Sequence, residues 1–266
     1  VLKQTGRLAE SLTSIQKCVE LAPHDAEAHS NLGVTLHELS RFEEAKLSYT
    51  QAIVLKPDYH EAISNLGNTF KALDRLEEAE ISCKHAISLK PDYAPAHLNL
   101  GSILQDQGRL EEAKVCYTQA IALKPNFVDA YNSLANTLKS LGRLEEAEAS
   151  CNQAIHLKPD YAESHNNLGV MLREFGRLEE AAARFTHAIA LKPHYSRAHS
   201  NLGVTLQELD RVVEAEASYI RSIALAPDYA QTHNNLGNLL LAQGRLGEAE
   251  ASYTRAIELK PCLLYT

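Results

Sequence analysis

Prolines at positions 23, 57, 91, 125, 159, 193, 227 and 261 follow one another at a strict interval of 34 residues, and only Pro95 lies outside the series. An interval kept without insertion or deletion means that the chain repeats one supersecondary unit and cannot be a single irregular globule. The triplets beginning at Asn31, Asn65, Asn99, Asn167, Asn201 and Asn235 read Asn-Leu-Gly with the same spacing, and Ser133-Leu134-Ala135 is the one altered copy. Counted from the residues after each proline, complete units run 26–59, 60–93, 94–127, 128–161, 162–195, 196–229 and 230–263, and residues 1–25 form the latter part of an earlier unit.

Inside a unit the apolar positions follow a helical period. In 128–161, Leu134, Leu138, Leu144, Ala147, Cys151, Ala154, Ile155 and Leu157 are spaced mostly by three, four or six. That pattern predicts two amphipathic helices per unit. The first ends at a Gly or Asp before an Arg, as in Gly108-Arg109 and Gly142-Arg143, where glycine permits the positive φ of a tight reversal. Glu pairs such as Glu111-Glu112 and Glu145-Glu146 then fall in the first turn of the second helix, where negative charge suits the exposed N–H groups. Lys precedes the closing proline at 56, 90, 124, 158, 192 and 260, and the proline stops the helix.

Small residues at Gly33, Ala45 and Ala52, an aromatic at Tyr49 and a proline at Pro57, recurring in nearly every copy, resemble the tetratricopeptide repeat. Cys83 and Cys151 replace the usual aromatic, Ala135 the glycine, and Cys18 and Ser222 an alanine. The resemblance implies an all-α fold, a right-handed α-solenoid superhelix of 34-residue helix-turn-helix repeats. A lone hairpin buries too little apolar surface to offset the entropy of ordering it, so stability accumulates through contacts between neighbouring repeats.

In such a superhelix the first helices line the concave groove. Their second, sixth, ninth and thirteenth positions form a stripe separate from the apolar face. The sixth carries Asn31, Asn65, Asn99, Asn167, Asn201 and Asn235, and the ninth adds Asn68, Asn136 and Asn238. An amide both donates and accepts, so this ladder is expected to hold the N–H and C=O groups of an extended peptide without reading its side chains. First helices roughly 9–10 Å apart would present one Asn to about every third residue of a ligand rising about 3.3 Å per residue. The alternative is that these asparagines bond a neighbouring loop or helix end and serve repeat-to-repeat packing. The ladder also resembles the one lining the superhelix of O-GlcNAc transferases, which implies a substrate-recruiting arm of a larger enzyme as the second reading of function.

A carboxylate clamp for chaperone C-termini would need cations beside the Asn positions. The fifth position instead reads Ser30, Ser64, Leu98, Asn132, Asn166, Ser200 and Asn234. Acidic residues at Glu27, Glu61, Asp129 and Glu163 on one rim and at Glu38, Asp106, Glu174 and Glu208 on the other predict a mildly acidic groove, favouring neutral or basic ligands. Histidines at the fourth position (His29, His97, His165, His199 and His233) fall on separate helices, too far apart to share a metal, and are expected to pack. No GxGxxG, P-loop, HExxH or GxSxG motif and no metal-spaced Cys/His cluster is present, so no catalytic residue, metal or cofactor is expected.

A net charge of −8 gives no cationic footprint for nucleic acid or an anionic membrane. Five cysteines without CxxC spacing suit a reducing compartment or simple packing, and with no visible membrane span or signal peptide the reading is cytoplasmic. The expected partner is a protein or extended peptide, held by a non-catalytic scaffold. At the end, Pro261 is followed by Cys-Leu-Leu-Tyr-Thr where the repeat predicts Asp-Tyr-Ala. That tail, 262–266, matches the translated end of a transposon used to prepare sequencing libraries and reads as non-native, on a fragment whose uncapped ends should self-associate.

Overall fold

The computed structural model describes residues 2–260, with side chains from Glu10 onward; the tail read as non-native lies outside them. Every regular element is an α-helix among the described residues, and the helices fall into two compact units, 1–141 and 142–266.

The first unit holds α1 (Leu2–Leu21), α2 (Ala26–Glu38), α3 (Phe42–Leu55), α4 (His60–Ala72), α5 (Leu76–Leu89), α6 (Ala94–Asp106), α7 (Leu110–Leu123) and α8 (Val128–Ser140). The second holds α9 (Leu144–Leu157), α10 (Ala162–Glu174), α11 (Leu178–Leu191), α12 (Ser196–Glu208), α13 (Val212–Leu225), α14 (Ala230–Ala242) and α15 (Leu246–Leu259). Within each unit every helix packs on the next, and the even-numbered first helices also touch one another: α2 on α4, α4 on α6, α6 on α8, then α10 on α12 and α12 on α14. Each unit is therefore a solenoid with a first-helix face and a second-helix face.

Why the chain turns where it does is visible in the backbone bonds. After α6, Gly108 adopts φ +76°, its N–H donates to Gln105 O at 3.0 Å, and the Arg109 N–H donates to Leu104 O at 2.8 Å. This pair of bonds is a Schellman closure. Asp74, Asp210 and Ser40 take the same left-handed conformation, so the turn also accepts a serine where the sequence pointed to Gly or Asp. The Arg that completes each closure is also the N-cap of the second helix. Having no capping oxygen, it grips the Glu three residues on instead: Arg41 reaches Glu44 with bonds of 2.7 and 2.6 Å.

Small residues hold the two helices of a hairpin together. A Cβ on Gly101 would stand 2.7 Å from Tyr117 Cε1, so only a hydrogen at that position lets the ring lie flat on α6. Ala113 and Ala120 flank Tyr117 on α7 and are fully buried with it. Between repeats, four of the lysines before a proline lie over the following aromatic ring: Lys56 over Tyr59 at 4.7 Å, Lys124 over Phe127 at 4.6 Å, Lys158 over Tyr161 at 4.5 Å and Lys192 over Tyr195 at 4.9 Å. The lysine thus closes the loop by a cation–π contact as well as by its charge at a helix end.

Candidate functional site

Each recurring histidine of the first helices has a structural task. Nε2 of His29, His97, His165, His199 and His233 lies 3.0, 2.8, 2.8, 3.1 and 3.0 Å from the carbonyl oxygen of the proline six residues earlier. A carbonyl only accepts, so each ring carries its proton on Nε2 and ties its helix to the preceding loop. Among the described residues no group of three or more His, Cys, Asp or Glu could hold a metal ion.

The asparagines of the ladder fall into distinct environments. In the first unit Asn99 is half-buried, and its Nδ2 donates to Ser64 Oγ at 3.0 Å on the preceding first helix. In the second, Asn201 Nδ2 donates to Asn166 Oδ1 at 2.9 Å, again one repeat back. Asn167 takes a longer contact of 3.5 Å from Asn166 Nδ2. Asn68 donates to His37 Nε2 at 3.4 Å, while Asn65 is half-buried and Asn31 and Asn136 are exposed. Asn235 accepts from Gln231 Nε2 at 2.9 Å and Asn238 from the Tyr253 hydroxyl at 2.8 Å.

A polar row at the twelfth position of the first helix escaped the sequence reading. His37 stands 3.1 Å from Thr69 Oγ1, whose own proton goes to Asn65 O, so the imidazole donates from Nδ1 and accepts from Asn68 at Nε2. Burial holds His37 below its ordinary pKa, with nearby Glu38 opposing, and this neutral ring is the form both partners require. Gln105 Oε1 accepts from Tyr117 Oη at 3.1 Å and from Thr137 Oγ1 at 2.9 Å, and Gln207 Oε1 accepts from Tyr219 Oη at 3.0 Å. Lys71 bonds Ser102 and lies 3.2 Å from Asp106. The available signal was the run His37, Lys71, Gln105, Lys139, Arg173 and Gln207, polar at every repeat interval until Leu241.

The rims are less acidic than their composition suggested. Lys71 offsets Asp106, Lys192 reaches Glu163 at 2.7 Å, and Arg173 lies 3.8 Å from Glu174. Two of the expected site residues come together in one recess: Asn235 and Asn238 of α14 line it with Val204, Gln207 and Glu208 of α12 and Tyr219 of α13. A roomier recess lies on the opposite face, between α11 and α13 over Leu202 and Leu206, and contains none of the asparagines.

Paired helices in fixed register, with first helices packed on first helices and aromatic rings buried inside the hairpins, define an α-solenoid of helical repeats. Models of the tetratricopeptide repeat match residues 26–59, 60–93, 127–193 and 195–261, and a TPR repeat model matches 101–142. The chain belongs to the tetratricopeptide repeat family.

Among solved structures it resembles Cut9 in the APC/C hetero-tetramer Cut9-Hcn1, with TM-score 0.81 and 19% identity over 96% of this chain and 50% of that one. The chain thus spans half the length of that neighbour. PilF of Pseudomonas aeruginosa gives TM-score 0.66 and 20% identity over 77% of this chain and 93% of the other. YrrB, described as a TPR protein with an unusual peptide-binding site, gives 0.52 and 23% over 69% and 95%. No curated protein matches the sequence. No described helix is long and apolar enough to cross a membrane.

Proposed function

We propose that the chain is a non-catalytic scaffold whose first-helix faces hold an extended polypeptide through the sixth- and ninth-position asparagines. The observation that carries this reading is the anchoring of Asn99 and Asn201. Each amide donates from its NH2 group to the preceding repeat, Asn99 to both Ser64 Oγ and Ser64 O and Asn201 to Asn166 Oδ1, and its oxygen is left for a ligand N–H. An amide held in this way loses little rotamer freedom on binding, and that preorganisation favours weak but repeated backbone contacts.

The same bonds serve repeat-to-repeat packing, and the proposal adds ligand contact to that packing role. A likeness in fold to a peptide-binding tetratricopeptide protein supports the choice of ligand class. The test replaces Asn65, Asn99, Asn167 and Asn201 by Ala together, checks helix content by circular dichroism, and measures capture of unstructured peptides from a random library. Loss of capture with helicity retained is expected. Unchanged capture would leave the ladder purely structural.

A further inference from the structure

The recess between α12 and α14 carries more chemical information than its position. Three amides open into it, and each has its oxygen occupied from within the chain: Gln207 Oε1 by the Tyr219 hydroxyl, Asn235 Oδ1 by Gln231 Nε2, and Asn238 Oδ1 by the Tyr253 hydroxyl. An amide whose oxygen is engaged on one side presents its NH2 group on the other. Tyr219 is almost fully buried, and burial holds its phenol protonated far above any working pH, so it remains a donor to Gln207.

Among the described residues Glu208 lines the same recess without an ion-pair partner, and half-buried Val204 supplies the apolar wall. The surface therefore offers three NH2 donors and one carboxylate around an aliphatic side chain. A ligand's carboxylate would meet Glu208 with like charge.

We infer that this recess is a subsite that receives carbonyl oxygens of a bound polypeptide at Gln207, Asn235 and Asn238 and a lysine or arginine side chain at Glu208. The inference rests on the scaffold reading above and adds a polarity to it. Asn201, one repeat earlier, donates from its NH2 to Asn166, whereas Asn235 accepts at its oxygen from Gln231. Successive rungs of the ladder thus differ in sense, the first suited to a ligand N–H and the second to a ligand C=O. The subsite reads the chemistry of the backbone together with one charge.

The experiment uses the full chain and three blocked octapeptides: alternating glycine and lysine, alternating sarcosine and lysine, and alternating glycine and glutamate. Sarcosine removes the glycine N–H and keeps the carbonyl. Side-chain NH2 resonances of Gln207, Asn235 and Asn238 are followed by NMR during titration. Both lysine peptides should shift these resonances to similar extents and the glutamate peptide should not. Asn235→Ala should weaken the glycine-lysine peptide about fivefold, the loss of one hydrogen bond, and Glu208→Gln should remove the preference for lysine over glutamate.

Loss of the shifts on N-methylation, equal shifts with the glutamate peptide, or silence of the three resonances would overturn the assignment. Shifts elsewhere on the first helices with these three silent would sink the subsite and leave the scaffold reading standing. No shift on any first helix, with any of the peptides, would count against both.

Discussion

Asn201 donates from Nδ2 to Oδ1 of Asn166 at 2.9 Å, joining the sixth position of one first helix to the fifth of the helix before it. Asn166 is 2% exposed, so removing its partner leaves a buried amide oxygen with neither water nor protein to satisfy it. Asn201→Ala should therefore lower unfolding stability by about 1–3 kcal/mol. Asn136→Ala, at an exposed position of the same stripe, should stay within about 0.5 kcal/mol. Urea denaturation of both variants measures the difference, and equal effects would contradict the packing role.

Two glycines should respond to the same substitution for different reasons. At Gly101 an added methyl meets the Tyr117 ring at 2.7 Å, and that ring is tethered through its hydroxyl to Gln105. Gly101→Ala should cost about 1–3 kcal/mol by overpacking. At Gly108 nothing lies within 4 Å, but φ is +76°, so Gly108→Ala should cost roughly 1 kcal/mol through backbone strain alone. Thermal melts of the pair check this. Near-ultraviolet circular dichroism from Tyr117 should change in the first variant only.

Acid should weaken the fold in two stages. His37, His165 and His199 lie below their ordinary value of 6.5, chiefly because burial disfavours the charged ring. The unfolded chain then takes up protons before the native one does, so their contribution is present above pH 6.5 and is lost as pH falls toward the depressed values. Glu80 is held at about 2 by hydrogen bonds from Lys84, then Arg109 and Gln107. Its contribution is present above its ordinary 4.5 and disappears as pH falls toward 2. Chemical denaturation midpoints across pH should fall in both windows, with Glu80→Gln flattening only the lower one.

One cross-repeat ion pair, from the turn Arg to a Glu of the preceding second helix, recurs at every second repeat. Arg109 meets Glu80 at 2.8 Å, Arg177 meets Glu148 at 2.9 Å and Arg245 meets Glu216 at 2.8 Å. The equivalent position is Lys46, Lys114 or Ala182 in the intervening repeats. Glu148→Gln should lower the thermal midpoint slightly in dilute buffer, and the difference should vanish in molar salt, where screening acts within about 3 Å. A midpoint difference insensitive to salt would assign the effect to packing.

The 34-residue interval made the helical hairpins legible because proline, the Gly-Arg turn and the Glu pair each act through local backbone chemistry. Ser40 was harder to read, since serine in the left-handed region is favoured only when the Schellman bonds around it impose that conformation. The stripe of asparagines was visible from helical periodicity alone. Which amides are engaged, and by which end, depends on side chains 12, 15 or 35 residues away, such as Gln207 with Tyr219, Asn238 with Tyr253 and Asn99 with Ser64. A helical wheel covers one helix, and these bonds join two. The same reason hid the row from His37 to Gln207 and the cations beside Asp106, Glu163 and Glu174.

The central claim, that polypeptide ligands lie along the first helices, is tested most directly by photo-cross-linking. Unstructured peptides carrying one benzophenone group are irradiated with the chain, and adducts are located by mass spectrometry. The account predicts adducts concentrated on α4, α6, α10, α12 and α14, and reduced when Asn65, Asn99, Asn167 and Asn201 are replaced by Ala. Adducts confined to the second helices, or unaffected by those replacements, would contradict it.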